Sequence, residues 1–208
     1  KETKVLPRII PREEIEQLLN YMYSLGNRNN NKQEKYWLRD VAVIETLFAT
    51  GARVSEVSNI RVDSVNLNTG LIRIMGKGGK ERYIQIASAD ILSVLKKYYD
   101  QNASEIKKSG FFFVNSRGCR YTEQSIRLML KKYTKLAGID RNITPHMFRH
   151  SFATYLIEEG VDISCVQQIL GHSSIKTTQI YIHVAAQIQA EILREMHPRN
   201  RMNILMVA

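Results

Sequence analysis

Between Val62 and Ala87 the chain changes its period. On both sides apolar residues recur at the spacing of amphipathic helices, but VDSVNL, GLIRIMG and ERYIQIA alternate apolar with polar residues and are rich in β-branched side chains, the signature of strands with one buried face. Asn-Thr-Gly at 68–70 and Lys-Gly-Gly-Lys at 77–80 separate the runs, so the strands follow one another as antiparallel hairpins. The second turn carries two lysines and two glycines, which brings charge close to a ligand backbone. The fold class expected is mainly α with a small three-stranded antiparallel sheet.

The helices are punctuated by Pro, Gly and capping residues. Residues 11–25 open with Pro11 at the first helical position, place Glu13 and Glu14 in the first turn, and repeat Ile15, Leu18, Leu19 and Met22 on one face. A second helix over 36–49 is stopped by Gly51, and a short one over 53–60 starts immediately afterwards, setting Arg53 at a helix start. Further helices are expected at 88–101, 122–137, 144–159, 163–170, 175–182 and 187–196, with FFFVN at 111–115 as a buried strand or extended segment. The chain starts with Lys1 and Glu2, and residues 1–10 read as the remnant of a linker; 11–198 form the main domain and 199–208 a tail that ends apolar.

Composition narrows the function. Hydrophobic residues at 44% and charged ones at 24% are enough for a real core. No run approaches the roughly 18–20 apolar residues of a membrane helix. Cys119 and Cys165 form no Cys-x-x-Cys pair, so neither a disulfide framework nor a thiolate zinc site is indicated, and the expected home is a reducing cytoplasm. The formal charge is +10. Residues 71–135 hold 14 basic and 5 acidic side chains, which is nearly the whole surplus. A positive field so concentrated fits a binder of phosphate backbones as well as a solvated lysine-rich face.

The densest polar motif is TPHMFRH at 144–150, where Pro145 fixes a helix start and His146 and Arg149 share a face. The residues between its histidines are Met, Phe and Arg rather than the glutamate-bearing spacing of a zinc helix, so no metal is expected. Read alone, the segment also fits histidines that satisfy backbone groups. It gains force from TGARVSE with Arg53, GKGGKE with Lys77, and LGHSSIKTTQIYIH with His172 and Tyr181.

In residue types, order and spacing these four motifs resemble the tyrosine recombinases, the phage integrase and Xer-type family, over essentially the whole chain. The resemblance implies that Arg53 and Arg149 clamp the scissile phosphate, that Lys77 sits on the hairpin turn with His146 and His172 flanking the arginines, and that Tyr181 is the nucleophile. Glu56 matches a position that orients neighbouring groups. Lys80 competes with Lys77, which is preferred because it fills the Gly-Lys-Gly position.

The implied chemistry suits the inventory. A phosphodiester repels nucleophiles, and guanidinium forks neutralise it without a metal. A phenol is activated beside arginines and a histidine, and a lysine protonates the departing 5′ oxygen. The implied product is a 3′-phosphotyrosyl linkage formed without any cofactor. The implied partner is double-stranded DNA, with a tetramer on two sites for the full-length protein and a monomer for an isolated catalytic domain. Backbone contacts are expected from Lys80, Arg82, Arg117, Arg120, Arg127 and Lys131. Two other readings share these residues: relaxation of supercoils by a type IB topoisomerase, and a DNA-binding module without catalysis.

Overall fold

Helix α2 (Trp37–Thr50) organises the domain: thirteen of its fourteen residues are buried, as befits a helix apolar almost all round. The computed structural model describes residues 9–26, 36–76, 81–171 and 189–204. Around α2 pack α1 (Arg12–Leu25), α4 (Ala89–Ser109), α5 (Glu123–Leu136) and α6 (Pro145–Glu158), while the short α3 (Val54–Ser58) follows it directly and rests on α5. A smaller apolar cluster of Phe152, Leu156, Val161, Val166, Ile169, Leu170 and Leu193 joins α6 to α7 (Ile163–Leu170) and the helical residues 189–196. The helix expected at 175–182 lies outside the described residues.

The sheet has the expected order, β1 (Val65–Asn66), β2 (Leu71–Met75) and β3 (Glu81–Gln85), antiparallel throughout. β1 is shorter than its apolar pattern suggested, because Val62–Ser64 form a 3-10 turn instead. The register pairs Ile72 with Ile84 and Ile74 with Arg82, and the three isoleucines are buried.

Several boundaries move. Pro11 is the N-cap of α1 rather than its first helical residue, with ψ at 148°. Helix α4 continues past the expected end at 101 through a break at Asn102, whose side-chain amide donates to the Tyr98 carbonyl at 2.9 Å and competes with the helix for it. The FFFVN segment is extended but makes only isolated bridges, Arg61 with Phe111 and Val114 with Arg120. Its backbone is satisfied in part by Tyr98, whose hydroxyl accepts from the Val114 amide at 3.0 Å and donates to the Phe112 carbonyl at 3.1 Å.

The domain limits expected at 10/11 and 198/199 cut through packed structure. Ile10 is fully buried, its amide donates to Ser151 Oγ at 2.8 Å, and its carbonyl accepts from the Tyr155 hydroxyl. Arg199 and Met202 are buried as well, so the chain as far as Ile204 packs on its own core. Among the described residues no helix is long and apolar enough to cross a membrane.

Candidate active site

Two helix ends and one strand build the site. Helix α2 stops at Gly51 with φ 58°, where a Cβ would come within 2.5 Å of Phe152, so both backbone and packing demand glycine. The chain turns through Ala52 into α3 with Arg53 as N-cap in extended backbone. Arg53 has no side-chain oxygen to cap the helix. Glu56 serves from the first turn instead, its Oε2 accepting from the Arg53 amide at 2.7 Å and its Oε1 from Arg53 Nη1 at 3.0 Å, the reciprocal half of a capping box.

Arg82 reaches the same carboxylate from β3, donating Nη1 to Oε1 at 2.7 Å and Nη2 to Oε2 at 2.9 Å. Glu56 is only 5% exposed. Burial pushes its pKa up, but the bonds and charge of Arg82, together with the bonds from Arg53, outweigh burial and hold the carboxyl at about 2.

Arg149 comes from α6, whose start is set by Pro145 and by Thr144 Oγ1 accepting from the Met147 amide. Its Nη1 donates to the Gly51 carbonyl and its Nη2 to the Leu170 carbonyl, both at 2.8 Å. Each acceptor lies at a helix C-terminus, the negative end of the helix dipole, where carbonyls lack partners in their own helix. Burial, then the charge of Arg53 and that of Arg82, bring Arg149 down to about 10 against the opposing pull of Glu56, so it remains a cation at neutral pH. Helix α7 ends at Gly171 with φ 67°, and the stem of Arg82 lies where its Cβ would be, 2.6 Å from Cδ.

Two guanidiniums, Arg53 and Arg82, therefore bond one buried carboxylate, and the charge of Arg149, held on backbone carbonyls, is felt beside them, which leaves positive charge in excess. The openings differ: 38% of the Arg53 side chain is exposed but only 14% of that of Arg82. Such a cluster is built to receive an anion in bidentate fashion.

Of the expected site residues, Arg53, Glu56 and Arg149 come together, and His146 lies exposed on the first turn of α6, three residues before Arg149. Lys77, Lys80, His172 and Tyr181 lie outside the described residues. Among the expected backbone contacts, Arg117, Arg127 and Lys131 are exposed, with Arg127 paired to Glu123 at 3.0 Å. Arg120 is half-buried and donates to Asn59 Oδ1 at 2.6 Å. Arg82 differs from expectation: it turns inward to Glu56 and joins the arginine cluster.

Comparison with known proteins agrees with this geometry. Residues 8–187 match the phage integrase family. A tyrosine recombinase of Agathobacter rectalis is 46% identical over 200 residues, covering 96% of this chain and 65% of the relative. The tyrosine recombinase XerD of Listeria monocytogenes is 36% identical over 203 residues, again 96% of this chain and 65% of the relative, so the chain spans just under two thirds of either protein. Among solved structures, XerA recombinase superposes with a TM-score of 0.70 at 31% identity, covering 96% of this chain and 67% of that one. XerH, in a post-cleavage complex with its palindromic difH substrate, gives 0.69 at 29% identity over 90% and 52% of the two chains. The chain belongs to the phage integrase family, the family of the tyrosine recombinases.

Proposed function

We propose that the protein recombines double-stranded DNA at specific sites by cutting and rejoining strands through a 3′-phosphotyrosyl intermediate. Arg53 and Arg149 grip the non-bridging oxygens of the scissile phosphate. The Tyr181 oxygen attacks phosphorus, its proton passing to a histidine, His172 or His146. The bond from phosphorus to the 5′ oxygen breaks, and Lys77 protonates the departing oxygen. The phosphotyrosyl bond retains the energy of the broken one, so attack by another 5′-hydroxyl reseals a strand without ATP. The guanidiniums supply the charge compensation, and no step calls for a metal or cofactor. Exchange between two duplexes cuts four strands and takes one tyrosine for each, hence four protomers on two sites.

The observation that carries this reading is the position of Arg149, whose carbonyl bonds tie the end of α2 to the end of α7. Segments from TGARVSE, TPHMFRH and the turn before His172, distant in sequence, thereby meet around one cationic cluster. The relatives named as tyrosine recombinases and the XerH complex with DNA support the same conclusion.

The test is incubation with a nicked suicide duplex bearing the protein's own recombination site, in the presence of chelator. An SDS-resistant protein–DNA adduct that vanishes in Tyr181→Phe is expected. Binding without any adduct would leave only a DNA-binding role, and relaxation of supercoiled plasmid irrespective of sequence would favour a topoisomerase.

A further inference from the structure

We propose that Arg82 is a positioning residue of this site: by filling the acceptor positions of Glu56 it keeps the Arg53 guanidinium directed at the scissile phosphate. The inference rests on the reading of the cluster as a phosphodiester-cleaving site.

The geometry is one of saturation. An ionised carboxylate offers about four lone-pair positions. Each oxygen of Glu56 accepts one bond from Arg82 and one from Arg53, so all four are filled. Arg53 therefore spends a single side-chain N–H bond on Glu56, through Nη1, and keeps 38% of its side chain open. Without Arg82 the two vacated positions would draw Arg53 into a bidentate pair with Glu56, the stronger geometry for a guanidinium and a carboxylate, and away from an incoming phosphate.

Two further features argue that Arg82 is built for this place. Its strand partner is Ile74, and it shares a strand face with Ile84, so the fold commits a cation to the buried side of the sheet. That placement is costly unless the charge is paired; Glu56 pairs it through both Nη atoms, while the buried Nε has no hydrogen-bond partner among the described residues. Its stem is also confined by Gly171, where any side chain would collide with it. Lysine at this position would keep charge and stem but supply a point charge rather than a fork.

The test measures single-turnover adduct formation and DNA affinity for the wild-type protein, Arg82→Gln, Arg82→Lys, Glu56→Gln and the double variant Arg82→Gln/Glu56→Gln. Arg82→Gln should slow adduct formation by about tenfold or more, with DNA affinity within about threefold because Arg82 itself barely meets solvent. Arg82→Lys should fall between wild type and Arg82→Gln. The double variant should be no slower than the slower single one, since both break the same bridge. An Arg82→Gln protein as fast as wild type, or a double variant showing the product of both losses, overturns the role. If Arg82→Gln does not fold, Arg82→Lys decides: slowing by about threefold or more supports the role, and an unchanged rate overturns it. A wild-type protein that forms no adduct sinks the proposed function and this role together, whereas loss of the role alone leaves wild-type activity intact.

Discussion

Glu45 in α2 and Glu56 in α3 are both buried carboxylates that face arginine, yet the structure uses them for opposite ends. Glu45 is fully buried and accepts from Arg199 Nε at 3.0 Å to either oxygen, from Arg199 Nη2 at 2.8 Å and from the Tyr23 hydroxyl at 2.6 Å. Burial first, and the charge of Glu45 second, push the Tyr23 phenol up, so it stays protonated and donates. Glu45, Tyr23 and Arg199 are all enclosed, with the exposed Asp90 at 4.0 Å from Arg199 Nη1 reaching the pair from outside, and the result is a lock that fastens residues 199–202 to the core. Around Glu56 the guanidiniums outnumber the carboxylate and one of them is open to solvent. Charge balance and enclosure, rather than the pairing itself, separate a lock from a site.

The largest effect that would sharpen this contrast is on stability. Glu45→Gln strips Arg199 of its buried counter-charge and should cost about 3–5 kcal/mol, read by chemical denaturation. Glu56→Gln should cost less, about 1–3 kcal/mol, because Arg53 already reaches water and the amide oxygen can still accept from Arg82, while its loss of activity should be the greater of the two. Equal destabilisation by both variants would break the distinction.

Acid should separate the two regions next. His197, two residues before Arg199 and packed with its ring centroid 5.3 Å from that of Phe48, is pushed down to about 4, by burial first and by the Arg199 charge as well. A histidine with a depressed pKa binds its proton more readily in the unfolded chain, so the lock loses stability as pH falls from about 6.5 to about 4, by at most about 1.4 kcal/mol per pH unit. Glu56, held at about 2 against an ordinary 4.5, contributes stability that is complete above about pH 4.5 and lost only on descent towards pH 2. His197→Gln should therefore flatten the upper part of the acid unfolding curve and leave the lower part in place. A curve with the same slope from pH 6.5 to 4 in both proteins would count against the burial of a neutral histidine there.

The contrast was only partly legible in the sequence. Arg53 at a helix start and Arg149 at i, i+3 spacing from His146 were legible because these are local properties, whereas Glu56 was designated only by the family resemblance of TGARVSE. The strand pattern also held a signal about Arg82: in ERYIQIA it has the same parity as Ile84 and Ile86, the buried parity, and a cation there needs an internal partner. That alternation sets Arg82 apart from the other expected backbone contacts. Glu45 likewise stood out as a charge within an apolar helix, but its partner Arg199 is 154 residues away, and nothing local designates it. The bonds of Arg149 to the Gly51 and Leu170 carbonyls were equally hidden, since a backbone acceptor carries no residue identity.

The smallest effects should fall on cations that are neither lock nor site. Arg127 and Lys131 lie exposed on α5, and among the described residues Arg127 pairs with Glu123, one helical turn earlier. Exposed pairs of this kind contribute about 0.5 kcal/mol or less, so Arg127→Ala and Lys131→Ala should leave the unfolding midpoint almost unmoved. If these side chains meet DNA phosphates, each substitution should lower the slope of log affinity against log salt by about 0.9, uniformly across DNA sequences, while the rate of adduct formation at saturating DNA stays unchanged. Unaltered salt slopes would remove this face of α5 from the DNA interface and shift the search to other parts of the basic 71–135 segment. A lowered rate at saturation would mean that α5 reaches into the arginine cluster through α3, against which it packs, and the line between open surface and half-open site would have to be redrawn.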